Sequence, residues 1–232
     1  MKFETAVASR VAHTSNVKSF RFPRPDAFAY KAGQFMFITI RDGKEELRKH
    51  FTISSSPTED YIEFTKKLSD SRFSSILYTL SVGDWTRIDG PYGRFTFEGE
   101  FENIAMLSGG IGITPLRSIC KYCTDLHLKT NIVLLYGCRS EKDIAFRGEL
   151  EDMQDENENL RVIFTVDEPP AGWTGYVGKI DAPMIEGSIP DYMSRTFYTC
   201  GPPGMVDAMD TILSDLGVPQ DHIKKEHFTG YE

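Results

Sequence analysis

LSGGIGITP, residues 107–115, joins a short apolar run to a stretch with helical periodicity. Such an apolar run is typical of a strand that is buried on both faces of a parallel sheet. Glycines after such a strand let the backbone approach a pyrophosphate, and the following helix offers free amide donors. A tight turn without a ligand would need the same glycines, and the spacing is not G-x-G-x-x-G. The residues predicted to hold a nucleotide here are Gly109, Gly110, Gly112, Thr114 and Pro115.

The chain that follows this turn repeats the pattern. Apolar runs at NIVLLYG, RVIFTV and RTFYTCGP alternate with helical stretches such as KDIAFRGELEDM, which predicts a doubly wound parallel sheet. A second glycine turn, CGPPGM, opens the last helix, so we expect Cys200, Gly201 and Pro202 to contact a nucleotide. Arg139 and Ser140 end a third strand and suit an adenosine, including one with a 2′-phosphate, unless Arg139 is an ordinary surface cation.

The chain before this turn has a period of two instead. Six stretches, beginning with FETAVASRVA, indicate strands that turn residues separate, and SRFSSILYTL indicates one short helix. This order predicts a small antiparallel β-barrel. We therefore predict two domains, a barrel over residues 1–99 and an α/β domain over residues 100–232.

The barrel half carries polar stretches that packing alone does not require. RKHFTISSSP, residues 48–57, places cations, an aromatic ring and a row of hydroxyls at the end of one strand. FTKKLSDSRFSSIL runs from a strand into the helix, whose first turn contains Ser74 and Ser75 and suits an anion. GPYGRF, residues 90–95, adds a proline-stiffened turn and further aromatic rings. A flavin nucleotide would use all three features; strands that simply end in polar turns are the alternative.

Charge and composition exclude several classes of protein. The 232 residues carry a net charge of −8, with +2 over residues 1–100 and −10 over residues 101–232, which argues against nucleic acid as a partner. Neither a signal peptide nor a membrane-spanning run is evident, so we expect a cytoplasmic protein without membrane insertion. One C-x-x-C inside a predicted helix provides too few ligands for a zinc or iron–sulfur site, so no metal is expected.

Four motifs occur in the order of the landmarks of the ferredoxin–NADP⁺ reductase superfamily. HFTISSSP with an upstream cation resembles the flavin motif R-x-Y-[ST]-x-x-S, and GPYGRF, GGIGITP and CGPP resemble the other landmarks. The resemblance extends from AGQF, residues 32–35, to the final HFTGYE. It implies an FAD-binding barrel, with FMN less expected, and an NAD(P)-binding domain. It also implies hydride transfer between NADPH or NADH and the flavin, for which the cofactors supply the chemistry.

The resemblance also implies roles for individual residues. Thr52 would donate to flavin N5, and Phe51 would lie against the flavin. Cys200 would approach the nicotinamide C4, and Glu226 would lie near N5. The further residues expected to bind the flavin are Lys49, His50, Ser54, Thr65, Lys66, Ser74, Ser75, Gly90 and Gly93, with Phe228 or Tyr231 covering one face of its ring system.

Two departures from the family motif bear on how tightly a flavin binds. Lys49 supplies a point charge where the family arginine supplies a fork, and Phe51 lacks the hydroxyl of a tyrosine. Arg48 replaces the family arginine only if its side chain points to the same face as Lys49, although neighbouring strand residues normally point to opposite faces. Weak binding favours a flavin reductase, for which flavin is a substrate, over a reductase that delivers electrons to ferredoxin or another small redox protein. A non-catalytic electron-transfer subunit of a larger complex is a third interpretation.

Charged residues also give expectations for the coenzyme and the partner. Arg139 and Ser140 favour NADPH slightly over NADH, because an arginine–phosphate contact is strong. Cations early in the barrel would steer an acidic ferredoxin towards the flavin, unless strand alternation spreads them over several faces. These cations are Arg10, Lys18, Arg21, Arg24 and Lys31.

Overall fold

A computed structural model describes residues 1–228 of the chain. The elements of the first half are β1 (Lys2–Ala6), β2 (Ser9–Ala12), β3 (Val17–Pro23), β4 (Phe35–Asp42), β5 (Glu45–Thr52), β6 (Tyr61–Lys67), α1 (Arg72–Thr79) and β7 (Trp85–Tyr92). The elements of the second half are β8 (Asn103–Gly109), α2 (Ile113–Asp125), β9 (Asn131–Ser140), α3 (Arg147–Glu156), β10 (Leu160–Glu168), β11 (Tyr176–Val177), α4 (Ala182–Ser188), β12 (Thr196–Gly201), α5 (Pro203–Asp215) and β13 (Ile223–His227).

The first half is an antiparallel barrel that consists of two sheets. Their strand orders are β1-β7-β4-β5 and β2-β3-β6. The inward side chains of both sheets form one apolar core, in which the rings of Phe20 and Phe22 stack against Phe64. α1 packs onto this core through Phe73 and Leu77. The barrel predicted from the period of two is confirmed.

The second half is a parallel sheet of six strands in the order β11-β10-β9-β8-β12-β13. Ile104 and Met106 of β8 join a core with α2 and α3, whereas Ala105 and Leu107 join a core with α4 and α5. Burial on both faces explains the nearly continuous apolar runs of this half. The doubly wound sheet is confirmed, and the predicted boundary at residue 99 falls in the segment between β7 and β8.

Two local predictions are wrong, and two short elements were not predicted. FETAVASRVA forms two strands in different sheets, because the chain crosses between the sheets at Val7, whose side chain is buried. KDIAFRGELEDM is helical only from Arg147, because Phe146 before it adopts a left-handed backbone with φ +59°. The short elements α4 and β11 were not expected, since neither has a long enough periodic pattern.

Candidate active site between the two halves

A cavity of about 390 Å³ lies at the carboxyl ends of β8, β9 and β12. The sheet order reverses between β8 and β12, and doubly wound sheets bind ligands at such a reversal. Predicted residues in its wall are Gly109, Gly110, Arg139 and Pro202. The barrel contributes Asn16, Val17 and Lys67 to the same wall. Both halves of the chain therefore enclose one nucleotide-sized space.

The glycine turn after β8 packs backbone against backbone. A Cβ atom on Gly112 would lie 2.2 Å from the carbonyl oxygen of Cys200 and 2.5 Å from the Cα of Gly201. Gly110 has φ +54°, and its carbonyl accepts a hydrogen bond of 2.9 Å from the hydroxyl of Tyr136. Thr114 and Pro115 are buried in α2, so these two predicted residues support the turn from behind. The two glycine turns thus form one platform beneath the cavity.

A carboxylate pairs with the cation that was expected to recognise a 2′-phosphate. Arg139 Nε lies 3.0 Å from Glu168 Oε1, with both side chains well exposed. The cavity wall also carries Asp167 and Lys179, and the hydroxyl of Ser140 donates to Asp143 at 2.5 Å. An exposed pair of this kind is weak, but its carboxylate disfavours a second phosphate more than it disfavours a ribose hydroxyl.

The flavin motif of the barrel turns most of its side chains inward. Phe51 is 1% exposed, and its ring packs against Phe64 at 4.8 Å and Phe73 at 5.5 Å between centroids. Thr52, also buried, ends β5 opposite Phe35. The open aromatic face that the sequence suggested at Phe51 is therefore not present in this structure, because Phe51 shares the face of β5 that joins the barrel core.

The hydroxyls of this motif belong to a buried network. Ser54 Oγ donates to Glu63 Oε1 at 2.8 Å and lies 2.8 Å from Thr65 Oγ1. Glu63 is fully buried and accepts from Arg21 Nε at 2.8 Å. Thr65 continues the network to Ser19 at 2.6 Å. Direct contact of Ser54 and Thr65 with a cofactor is not supported by this burial.

Two lysines and the start of α1 form a place for an anion. Lys66 is buried, and burial together with nearby Lys49 lowers its pKa to about 8. The ammonium of Lys49 lies 5.9 Å from the ring of Phe73 in the first turn of α1. Two lysines beside a helix start fit a pyrophosphate, as the FAD of this family would require.

The same helix start is also capped by its own side chains. Ser71 Oγ accepts from the Ser74 amide at 3.3 Å and donates to Ser74 Oγ at 3.0 Å. Ser74 is buried, and the hydroxyl of Ser75 donates to the Ser71 carbonyl at 3.3 Å. A pyrophosphate would have to replace part of this capping, which weakens the site relative to one with free amides.

The outward face of β5 is occupied by other contacts. Arg48 Nη2 lies 2.7 Å from Asp89 Oδ2, with its guanidinium over the ring of Phe37. Arg48 therefore does not compensate for Lys49, because the two residues lie on opposite faces. His50 is exposed, with its ring 5.6 Å from that of Phe35. The predicted Gly90 lies within β7 and not in a turn, whereas Gly93 directly follows β7. A Cβ on Gly90 would meet the side chain of Met36, and one on Gly93 would meet that of Phe35.

The far side of the platform carries Cys200 and Glu226. They are register partners on β12 and β13, and Ser108 is the partner of Cys200 on β8. Cys200 is fully buried, which raises the pKa of its thiol well above the ordinary value. Burial raises the pKa of Glu226 to about 7, and its Oε2 has no hydrogen-bond partner among the described residues. A neutral thiol and a carboxyl group with a raised pKa thus lie side by side.

A smaller cavity of about 350 Å³ opens beside Glu226. Arg94, Phe95 and Lys224 also line it. The amide of Phe228 donates to the Gly201 carbonyl at 2.9 Å, so the end of the chain passes next to the second glycine turn. The predicted Tyr231 lies outside the described residues. Glu226 and Phe228 are therefore close to the platform, as the sequence suggested, but no flavin contact follows from that position alone.

The sequence did not identify the residues that join the two halves. Arg117 of α2 is 3% exposed and bonds Glu59 and the Ser54 carbonyl of the barrel. Ser118 Oγ donates to the Ser55 carbonyl at 2.7 Å. The signal for Arg117 was present, since a charged residue in the apolar stretch TPLRSIC is rarely buried unless it is paired.

Family models match most of the chain. The model of the oxidoreductase FAD-binding domain matches residues 3–97, and that of the oxidoreductase NAD-binding domain matches residues 106–211. The chain is 31% identical over 227 residues to the glycine betaine monooxygenase reductase subunit of Chromohalobacter salexigens, covering 94% of this chain and 62% of that protein. It is also 31% identical to NADH-cytochrome b5 reductase 1 of Dictyostelium discoideum, covering 90% of this chain and 76% of that protein.

Solved structures share the fold over the full length. The cytochrome b5 reductase domain of Ulva prolifera nitrate reductase superposes with a TM-score of 0.85 at 25% identity, covering 97% of each chain. A ferredoxin NADP⁺ reductase from Neisseria gonorrhoeae with bound FAD and NADP gives a TM-score of 0.85 at 22% identity, covering 97% of this chain and 98% of that one.

These matches define a class: flavin-dependent oxidoreductases built from an FAD-binding and an NAD-binding domain. The chain belongs to the ferredoxin–NADP⁺ reductase family within that class. It spans about three-fifths of the length of the glycine betaine monooxygenase reductase subunits that it matches. No helix within residues 1–228 is long and apolar enough to cross a membrane.

Proposed function

We propose that the protein transfers a hydride from NADH to a bound FAD and passes the electrons on to a separate protein. The observation that carries this proposal is the cavity of about 390 Å³, because the glycine turn of the second half and Lys67 of the barrel line it together. A nucleotide there reaches from the switch point of the sheet to the flavin half. The family supplies the cofactors, and the protein positions them.

The test is anaerobic reduction of the FAD-loaded protein. Mixing with NADH should bleach the flavin absorbance near 450 nm in a saturable manner, on the order of 1–10³ s⁻¹. Loss of the signal in Gly112→Ala, with Gly148→Ala as control, would assign it to the platform beneath the cavity. A loaded wild-type protein whose flavin stays oxidised under excess NADH and NADPH would contradict the proposal.

The proposal of NADH over NADPH rests on the surroundings of Arg139. Glu168 already pairs with this guanidinium, so a 2′-phosphate would have to compete with its carboxylate. NADPH, which Arg139 suggested from sequence, carries that additional phosphate, whereas NADH does not. Comparing kcat/KM for the two coenzymes decides between them, and a value for NADPH that equals or exceeds that for NADH would reverse the assignment.

A second candidate function is reduction of free flavin, with the flavin as substrate. It is supported by Lys49 in place of the family arginine and by Ser71, which caps the helix start that a pyrophosphate would use. Gel filtration of the FAD-loaded protein distinguishes the two functions. A protein that keeps its flavin is a prosthetic-group reductase, and one that loses it at micromolar concentration is a flavin reductase.

A protein electron acceptor is proposed from the relatives, one a monooxygenase reductase subunit and another a cytochrome b5 reductase. Ferredoxin in particular loses its electrostatic argument. Arg21 is bonded to buried Glu63, and Arg24 donates to the Phe28 and Pro57 carbonyls, so neither belongs to an open patch. Lys31 pairs with Glu98. Reduction rates for cytochrome b5, a ferredoxin and a monooxygenase component, measured side by side, would rank the acceptor classes.

A further inference from the structure

The loop at the end of the flavin motif contacts one side chain of the nucleotide half. We name residues 54–59 of this loop the docking loop. Arg117 of α2 donates to the Ser54 carbonyl at 3.2 Å and to Glu59, with one of these contacts at 3.0 Å. The same guanidinium donates to Glu149 Oε2 of α3 at 2.6 and 3.0 Å. One buried cation thus connects the barrel with two helices of the second half.

Glu59 gives the docking loop its shape. Its carboxylate accepts the Ser56 amide at 2.6 Å and also a hydrogen bond from Tyr61. Burial raises the pKa of Glu59, but the hydrogen bonds and charge of Arg117 outweigh burial, so the pKa lies below its ordinary value. Glu59 is therefore an anion that holds both its own loop and Arg117. Ser118 adds a contact of 2.7 Å to the Ser55 carbonyl.

Both ends of this joint lie next to a predicted half-site. The docking loop begins two residues after Thr52, at the end of the flavin motif. Arg117 lies in the first turns of α2, which starts at Ile113 directly after the glycine turn. Arg117 and residues 54–56 of the docking loop are buried, so a displacement at Arg117 would move one half-site relative to the other.

We propose that Arg117 is a positioning residue for hydride transfer, and this inference rests on the proposed function. The C4–H bond of a reduced nicotinamide breaks and a hydride, one proton with two electrons, goes to N5 of a bound flavin, so the nicotinamide is oxidised and the flavin is reduced. Such a transfer depends steeply on the distance between the two rings, and a displacement of about 1 Å can cost about 10²-fold in rate. Arg117 fixes the separation of the two binding platforms without touching either ligand.

The test separates rate from binding in Arg117→Gln and Arg117→Lys. In Arg117→Gln we expect the limiting rate of flavin reduction at saturating NADH to fall 10- to 100-fold. The Kd values for FAD and NADH should stay within about threefold, because no ligand contact is removed. The hydride isotope effect with 4-deuterated NADH should rise as transfer becomes limiting. Arg117→Lys keeps the charge but not the fork, and should recover part of the rate.

A second readout uses the protein without cofactors. Hydrogen exchange of the docking-loop amides should be faster in Arg117→Gln, while the amides of β9 keep wild-type exchange. Arg147→Gln is the matched control, because Arg147 also pairs with two carboxylates, Glu141 and Glu151, but within the second half alone. This control should leave both the limiting rate and the exchange of the docking loop unchanged.

Three results would overturn the proposal. These are a wild-type limiting rate in Arg117→Gln, a loss of activity that appears only as a raised Kd for NADH, and an equal loss of limiting rate in Arg147→Gln. If Arg117→Gln does not fold, Glu59→Gln and Arg117→Lys replace it, with the same expected loss of rate at unchanged Kd. A wild-type protein that does not reduce flavin at all would contradict the proposed function instead, and the exchange experiment alone would then decide whether Arg117 holds the loop.

Discussion

The glycine turns of the second half and the flavin motif of the first half were both predicted to bind a cofactor, but they contribute to the structure in opposite ways. Around Gly110 and Gly112 the backbone itself forms the platform, and the predicted Gly109 and Gly110 border the cavity. Around Thr52 the side chains are used by the fold: Phe51 fills the core and Ser54 bonds Glu63. A motif of glycines therefore locates a site directly, whereas a motif of side chains locates the structure that supports a site.

The largest effect expected from this contrast concerns the aromatic ring of the flavin motif. Phe51→Ala removes a ring that touches Phe64 and Phe73 in the barrel core, and should cost about 3–5 kcal/mol of unfolding free energy. His50→Ala, one residue earlier and exposed, should change it by less than about 0.5 kcal/mol. Urea unfolding of both variants measures this. Equal losses would show that Phe51 is not a core residue.

The next effect concerns the platform of the second half. Gly112→Ala places a Cβ against backbone atoms that cannot yield, and should cost about 1–3 kcal/mol together with affinity for NAD⁺. Gly148→Ala in α3 has nothing within 4 Å of its new Cβ, and should be neutral or stabilising by about 0.5–1 kcal/mol. Thermal unfolding with and without NAD⁺ checks both. A Gly112→Ala protein of wild-type stability would contradict the close approach to Cys200.

Two carboxyl groups sharpen the contrast with an effect of intermediate size. Glu63 has Arg21 and Ser54 as partners, whereas the half-buried Glu226 has an oxygen without a hydrogen-bond partner among residues 1–228 and a pKa raised to about 7 by burial. The folded state thus binds a proton at Glu226 that the unfolded state releases near its ordinary pKa of 4.5. Its contribution to stability is greatest below pH 4.5 and is lost as the pH rises through 7.

Glu226→Gln removes this proton uptake. The variant should gain about 1–2 kcal/mol over wild type at pH 8, since the shift is discounted for a partly open site, and should match wild type at pH 5. Unfolding free energies at the two pH values test this. A difference that is the same at pH 5 and pH 8 would show that Glu226 is ionised throughout.

The smallest effect concerns the rim of the cavity. Glu168→Gln frees Arg139 from its carboxylate partner, so kcat/KM for NADPH relative to NADH should rise about tenfold, or roughly 1.4 kcal/mol. Glu158→Gln also removes one carboxylate, but not the one that pairs with Arg139, and serves as the control. An unchanged ratio in Glu168→Gln would separate coenzyme choice from this pair.

The sequence predicted architecture better than it predicted side-chain direction. The periodicity of apolar residues predicted both halves of the fold. The glycine turns located the cavity because a glycine has no side chain whose direction must be known. Phe51 and Ser54 were expected to face a ligand, but β5 exposes its other face, where Arg48 and His50 lie. A shift of one residue along the strand exchanges its inward and outward faces, and no local sequence pattern determines which face points inward. Arg117 was not identified because its partners lie about 60 residues away along the chain.

The ion pairs of Arg117 also bear on how the protein unfolds. Arg117 is a buried cation that pairs with Glu59 of the barrel and Glu149 of its own half, so unfolding of either half would leave a charge in the other half without its partner. The two halves should therefore melt in one calorimetric transition at neutral pH. Glu59 contributes this coupling above its ordinary pKa, and the coupling is lost as the pH falls through its lowered folded-state value. Acid should therefore split the single melting peak in two, and the barrel and the nucleotide half would then behave as independent folding units.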